Sequence, residues 1–302
     1  MLPQWSSTAR HIIRTTTPKP QRPENIQVNI GPDVRIFIYL QKLRKQFRRM
    51  QILLANAKIM NRRATAAVPM TTKPRFGHEA EVFARELAAR SVDELAAVLG
   101  CNHKIAAENL LRYQSFAVAD EQIPAILAYN GQAYKYLKAS DFSAEDFAFA
   151  QRHLFILSFL YGMLRPLDLV HPYRIEERCQ LSATGGKSLA DFWKARLTDV
   201  LIAAVKADDG VLVHLATEEY EHLFNWRRVC DEVTVVRPLF MVDKGIELKT
   251  VTVHAKSCRG AMTRYIISNR ITSAEQLKGF TLNGYEYQSN YGDALHPHFI
   301  SK

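Results

Sequence analysis

The chain changes character at Met50, and that break decides which part of it can fold. Residues 1–49 hold ten Lys and Arg against two acids, Glu24 and Asp33, a net of +8. The remaining 253 residues hold 30 against 28, a net of +2. Residues 1–33 are rich in Thr, Pro, Arg and Gln, as in TTTPKP at 15–20. Such a stretch buries too little apolar surface to offset the entropy of ordering it. Residues 34–49, VRIFIYLQKLRKQFRR, have the spacing of one basic amphipathic helix, which suits a nucleic-acid arm, a membrane-surface helix or an organelle-targeting peptide. Met50 opens directly onto QILLA, which reads as a buried first strand. The favoured expectation is a disordered basic extension over 1–49, with Met50 the true start, and a folded body over 50–302.

Hydrophobic residues make up 47% of the 302 and charged residues 23%, enough apolar content for a real core. The longest apolar candidate, residues 154–164, falls short of the roughly 18–20 residues of a membrane helix. Cys101, Cys179, Cys230 and Cys258 are far apart with no CxxC, so neither a zinc ribbon nor a disulfide framework is suggested. That usage suits a reducing compartment, and no secretory signal is evident. We expect a cytoplasmic location, no cofactor, no metal and no membrane. Because the positive charge is concentrated in the first sixth, a nucleic-acid reading must rest on where bases sit in the body.

Periodicity places strands at 51–55 and 211–215, the second delivering Glu218 and Glu219 soon after its end. Helical spacing runs over 78–90, 92–99, 105–113 and 189–205, and Ser143 with Asp146 at N3 opens a helix through residue 154. Residues 125–129 suit a strand. Residues 233–242 and 246–254 alternate around Asp243-Lys244-Gly245 as a hairpin, and 259–269 returns to helix. Strands and helices mix without a strict βαβ rhythm, which predicts a mixed α/β (α+β) fold in a single compact domain.

Three segments carry the chemistry. Over 95–109, LAAVLGCNHKIAAEN, two short helices meet at a turn whose Gly100 and Asn102 enter left-handed conformations cheaply. This resembles a helix-hairpin-helix element over 92–114, in which turn amides and a helix N-terminus hold a DNA phosphate, with Lys104 beside them. An ordinary αα-hairpin packing on the core is the plainer alternative. Residues 157–174, LSFLYGMLRPLDLVHPYR, set Arg165, Asp168, Tyr173 and Arg174 in a loop stiffened by Pro166 and Pro172. Two arginines on a rigid loop make a good anion site, unless Arg165 and Asp168 merely pair with each other. Residues 255–270, AKSCRGAMTRYIISNR, carry Lys256, Arg259, Arg264 and Arg270 with no acid. Cations at a helix N-terminus make sense when an anion completes the site; a solvated basic face is the rival.

Taken together these blocks resemble the YaaA peroxide-stress family. The resemblance rests on Asn56-Ala57-Lys58 after the first strand, LSFLYGMLRPLD at 157–168, PYR at 172–174, LATEEY at 215–220 and AKSCRGAMTR at 255–264, in matching order and spacing. In many relatives the residue before Ala-Lys is Pro; here it is Asn56. The family implies a compact mixed domain with a positively charged central cleft and a helix-hairpin-helix element, binding duplex or branched DNA. It also implies a role in limiting iron-driven oxidative damage during peroxide stress.

On that reading Lys58, Arg165, Arg174, Lys256, Arg259 and Arg264 gather in one cleft that grips phosphates with little sequence preference. Gly100, Asn102 and Lys104 add the hairpin contact, and Tyr161, Tyr173 and Tyr220 stack on exposed bases. The rival class is an enzyme acting on a nucleotide or DNA lesion, with Lys58, Asp168, Glu218 and Tyr220 as candidate catalytic groups. A metal-handling reading is weaker still, because no ligand spacing appears.

Overall fold

A computed structural model describes residues 49–117 and 121–302; the helix and extension expected over residues 1–48 lie outside them. Strand β1 (Gln51–Ala55) matches the expected first strand. Ile52, Leu53 and Leu54 are fully buried, as a strand covered on both faces requires. It occupies the centre of a five-stranded sheet, flanked in parallel by β3 (Leu154–Ser158) and β6 (Val211–His214). Beyond β6 lies β7 (Thr234–Val236), also parallel, while β4 (Gly162–Leu164) turns back antiparallel to β3. A small ladder joins β2 (Ile123–Pro124) to β5 (Leu169–Val170).

The second five-stranded sheet has the order β10-β11-β12-β8-β9 and is antiparallel except where β8 (Leu239–Asp243) meets β12 (Pro297–Ser301). Its other members are β9 (Leu248–Lys249), β10 (Thr281–Leu282) and β11 (Tyr285–Gly292). The described residues belong to one compact unit, Lys45–Lys302, of mixed α/β character. Among them no helix is long and apolar enough to cross a membrane.

Helices α1 (Gly77–Ala88), α2 (Val92–Leu99) and α3 (His103–Gln114) fall where the spacing put them. Next come α4 (Ala125–Ala128), α5 (Gln132–Leu137) and α6 (Ala144–His153). Ser143 caps α6 through a reciprocal box with Asp146, as expected. The last three are α7 (Leu189–Ala207), α8 (Trp226–Glu232) and α9 (Thr252–Ser268). Helix α7 buries Phe192, Trp193, Leu197 and Leu201 on one stripe, and the Trp193 indole donates to the Phe159 carbonyl at 2.8 Å.

Two expectations are corrected. Residues 125–129 are not a strand: all four residues of α4 are buried, and an apolar run with no polar face carries no period to separate helix from strand. The hairpin around Lys244 and Gly245 is real but short. Only β8 and β9 form it, β7 joins the other sheet across Pro238, and the chain is already helical at Thr252.

The α2–α3 turn also differs in detail. Gly100 adopts φ +55 and closes α2, its amide and that of Cys101 returning to Ala96 and Ala97 carbonyls. Asn102 is not left-handed. Its backbone is extended at φ −72, and its side chain accepts from the Ile105 amide as the N-cap of α3.

Candidate functional site

Parallel strands that end together leave their loops at one edge, where ligand sites of α/β sheets form. Here β1, β3 and β6 end together, and Asn56, Ser158 and the 215–220 loop leave from that edge. The Asn56 amide N–H donates to the Leu157 carbonyl at 3.1 Å, so the chain turns outward only at Ala57 and Lys58.

A buried polar network fills the edge. The Tyr173 phenol oxygen lies 2.6 Å from Ser158 Oγ, 2.8 Å from the Tyr129 hydroxyl and 3.0 Å from Asn56 Nδ2. Ser158 Oγ accepts from the Leu160 and Tyr161 amides, so its own proton points to Tyr173. The Tyr220 hydroxyl donates to Asn56 Oδ1, and Tyr134 donates to the Ala55 carbonyl at 3.0 Å. Burial raises the Tyr173 pKa, and its three hydrogen bonds oppose that rise.

On this floor sits a narrow pit of about 30 Å³, room for one water, walled by Lys58, Arg174, Glu176, Glu219 and Tyr220. Glu176 accepts from Lys58 Nζ at 2.9 Å and from Arg174 Nη2 at 2.7 Å. Burial alone would raise the Glu176 pKa; the two cations outweigh it and hold the carboxyl below its usual range. Glu219 moves the other way. Burial raises it first, then repulsion from Glu177 and Glu176, against the pull of Lys58 and Lys256. Glu218, the acid expected to act, is 87% exposed and points toward Arg237 at 3.7 Å.

Helix α9 supplies the neighbouring cations. It can approach α5 because residue 260 is glycine: a Cβ there would lie 1.8 Å from the Ala133 carbonyl oxygen. Helix α9 begins at Thr252, so Lys256 and Arg259 lie in its second and third turns. That corrects the expected helix-terminal position, and the helix dipole does not organise them. Lys256 is exposed. Arg259 is half-buried, and among the described residues its side chain has no hydrogen-bond or ion-pair partner; Arg237 repels it and Glu218 attracts it.

The structure therefore brings together Lys58, Tyr173, Arg174 and Tyr220, with Lys256 and Arg259 alongside. It places the other expected residues elsewhere. Arg165 Nη1 donates to Gln51 Oε1 at 3.1 Å and to the Arg152 and Leu154 carbonyls, and the guanidinium lies 3.5 Å over the Phe155 ring. These partners mark the opposite end of β1, about 13 Å along the strand from Ala55 at about 3.3 Å per residue. Asp168 stays with Arg165, accepting from its backbone amide at 2.7 Å and from Thr72 Oγ1 at 2.6 Å; burial raises its pKa. Arg264 closes the C-terminal end of α5, donating to the Lys138 carbonyl at 2.8 Å. At the hairpin, Arg178 covers Gly100 and donates to its carbonyl at 3.0 Å, while Lys104 is exposed on the first turn of α3.

The tyrosines expected to stack on bases are interior groups. Tyr161, Tyr173 and Tyr220 are 3%, 2% and 9% exposed, because each phenol oxygen is tied into the protein. Glu176 is the functional residue that the sequence reading missed. Its signal is its place two residues after Arg174, close enough for the two side chains to pair at 2.7 Å. Among the described residues no group of three His, Cys, Asp or Glu is placed to hold a metal ion.

The sequence model of the family described as peroxide stress protein YaaA matches residues 50–291. A UPF0246 protein of Bacteroides thetaiotaomicron is 45% identical over 253 residues, covering 83% of this chain and 98% of its own length. A UPF0246 protein of Bacteroides fragilis is 46% identical over 245 residues, 81% of this chain and 95% of its own. One from Clostridium perfringens is 36% identical over 248 residues, 81% and 96% respectively.

Proposed function

The chain belongs to the YaaA peroxide-stress family, and from that premise we propose that it is a cytoplasmic DNA-binding protein of the oxidative-stress response. It grips duplex or branched DNA by its phosphates, with little sequence preference, and so helps limit iron-driven oxidative damage. The observation that carries the reading is Arg259. A half-buried guanidinium with neither acid nor carbonyl to receive it is a site awaiting an anion, and Lys256 sits one turn away. Glu176, Glu177 and Glu219 make the pit side of the edge mixed in charge, so phosphates approach from the α9 side. The α2–α3 hairpin adds a second contact: the first turn of α3 carries His103 and Lys104 and no acid.

The test is binding of the full chain to duplex, four-way-junction and single-stranded DNA across a salt series. Lys256→Ala with Arg259→Ala should weaken binding at every sequence and reduce the slope of log affinity against log salt by roughly 2. An unchanged slope would remove the α9 site.

One observation favours a second reading, an enzyme acting on a nucleotide or a DNA lesion at the same sheet edge. Glu219, a carboxyl whose pKa is raised first by burial, shares a wall with Lys58, so an acid and an amine face one small space. Altered DNA among the products of the same binding reactions, abolished by Glu219→Gln, would establish that reading.

A further inference from the structure

A second concavity lies behind the tyrosine network, separated from the first site by Tyr161 and Tyr173, whose rings are 5.7 Å apart. It has a volume of about 850 Å³, within the range of small-molecule pockets. Lys73, Arg75, His78 and Arg85 stand around its rim. Among the described residues none of the four makes an ion pair, whereas Arg62, Arg90, Arg112 and Arg174 each have a carboxylate within 3.5 Å. Among the described residues that line the wall, Glu81 is the one acid.

Two further features point the same way. Helix α1 starts at this wall, with Gly77 and His78 lining it, and its N-terminus has no side-chain cap. At the floor, His171 is 3% exposed and packs 4.5 Å from the Phe116 ring. The Gln122 amide nitrogen lies 3.0 Å from His171 Nε2. An amide N–H₂ donates, so Nε2 accepts and the imidazole proton sits on Nδ1, a buried donor with no acceptor among the described residues. Burial holds this imidazole below its ordinary pKa, against the pull of Glu121 and Glu81, which keeps it neutral.

A buried N–H without an acceptor, an uncapped helix start and three unpaired cations around one wall all ask for the same kind of ligand. We propose that this cavity binds a nucleoside phosphate, either a free nucleotide or the 5′-phosphorylated end of a strand. The phosphate sits at the α1 N-terminus beside Lys73 and Arg75, and the base lies toward Phe116. The proposal goes beyond the duplex-gripping reading and stands without it, because the two sites share no side chain.

The test is calorimetric titration of the full chain with AMP, adenosine and inorganic phosphate, alongside oligonucleotides with 5′-phosphate or 5′-hydroxyl ends. AMP or the 5′-phosphorylated strand should bind at least tenfold more tightly than its unphosphorylated counterpart. Lys73→Ala with Arg75→Ala should lose about tenfold or more of the affinity for AMP, or of the preference for a 5′-phosphate over a 5′-hydroxyl end. Both side chains are exposed, so the double variant keeps its fold, and a thermal melt checks this. Response to AMP identifies a free nucleotide as the source; response only to the phosphorylated strand identifies a strand end. The proposal is overturned if neither binds below about 1 mM, if phosphate makes no difference, or if the Lys73 and Arg75 variant binds as tightly as the parent.

Discussion

Asn56 donates a hydrogen bond from its side-chain amide to the Tyr173 phenol, 3.0 Å away and 117 residues later in the chain. Its other amide atom accepts from Tyr220, so one side chain ties together the loops after β1, β5 and β6. A proline in this position would have neither the amide N–H that meets Leu157 nor any side-chain polar atom, so it would make none of these contacts.

Replacing Asn56 by Ala leaves the Tyr220 hydroxyl without its acceptor and Tyr173 one donor short. The expected cost is about 1–3 kcal/mol of folding stability, measured by urea unfolding. A loss of a few tenths would mean that water replaces the amide without penalty.

Gly260→Ala places a methyl group against the Ala133 carbonyl, a backbone atom that cannot swing aside. Helices α9 and α5 must separate, at an expected cost of about 3 kcal/mol or more. Thermal unfolding and the yield of soluble protein report it, and DNA affinity should fall together with stability because Lys256 and Arg259 ride on α9.

Glu219 and Glu176 shift in opposite directions and give opposite pH slopes. Glu219 has a raised folded pKa, so the stability it contributes is full below its unfolded value and is lost as pH rises through the folded one. Glu219→Gln should therefore stabilise the protein at pH 7. Glu176 has a lowered folded pKa, so its contribution is present above the ordinary 4.5 and fades as pH falls through the folded value. Glu176→Gln should lower stability at pH 7 and flatten its decline below pH 4.5. Denaturant titrations of both variants at neutral and acid pH check the two signs.

At the hairpin, Gly100→Ala forces a side chain into φ +55 and displaces the Arg178 guanidinium, whose nitrogen would lie 1.5 Å from the new Cβ. A loss of about 1 kcal/mol is expected. Because Arg178 can move, the loss should be smaller in an Arg178→Ala background, which a double-mutant cycle measures.

Local features were legible in the sequence. The β1 run, the Ser143–Asp146 box and the apolar stripe of α7 each carry their signal within a few residues, and the structure has them where the pattern puts them. The gathering of cations was only half legible. Lys58 and Arg174 do meet, but through Glu176, which no charge count singles out. Arg165 does not join them, for a topological reason. Strand β4 runs back against β3, so the residue after β4 emerges where β3 began, beside Gln51 rather than Lys58. Residue order along the chain does not say which end of a sheet a loop reaches. Likewise the tyrosines of 157–174 read as surface stackers, because nothing in their spacing shows that Asn56 and Tyr129 from other segments, and Ser158 and His171 from their own, hold their hydroxyls.

The central place of β1 has a consequence for synthesis. Strand β1 is made early in the body, yet its neighbours β3 and β6 begin at residues 154 and 211. At about 5–20 residues per second, an apolar strand with two open edges waits roughly 8–30 seconds for its second partner. Over that interval the nascent chain exposes a ready template for pairing with another copy of itself. Strong expression should therefore reward slower synthesis or a holding chaperone, even though the finished strand is among the best covered segments in the molecule.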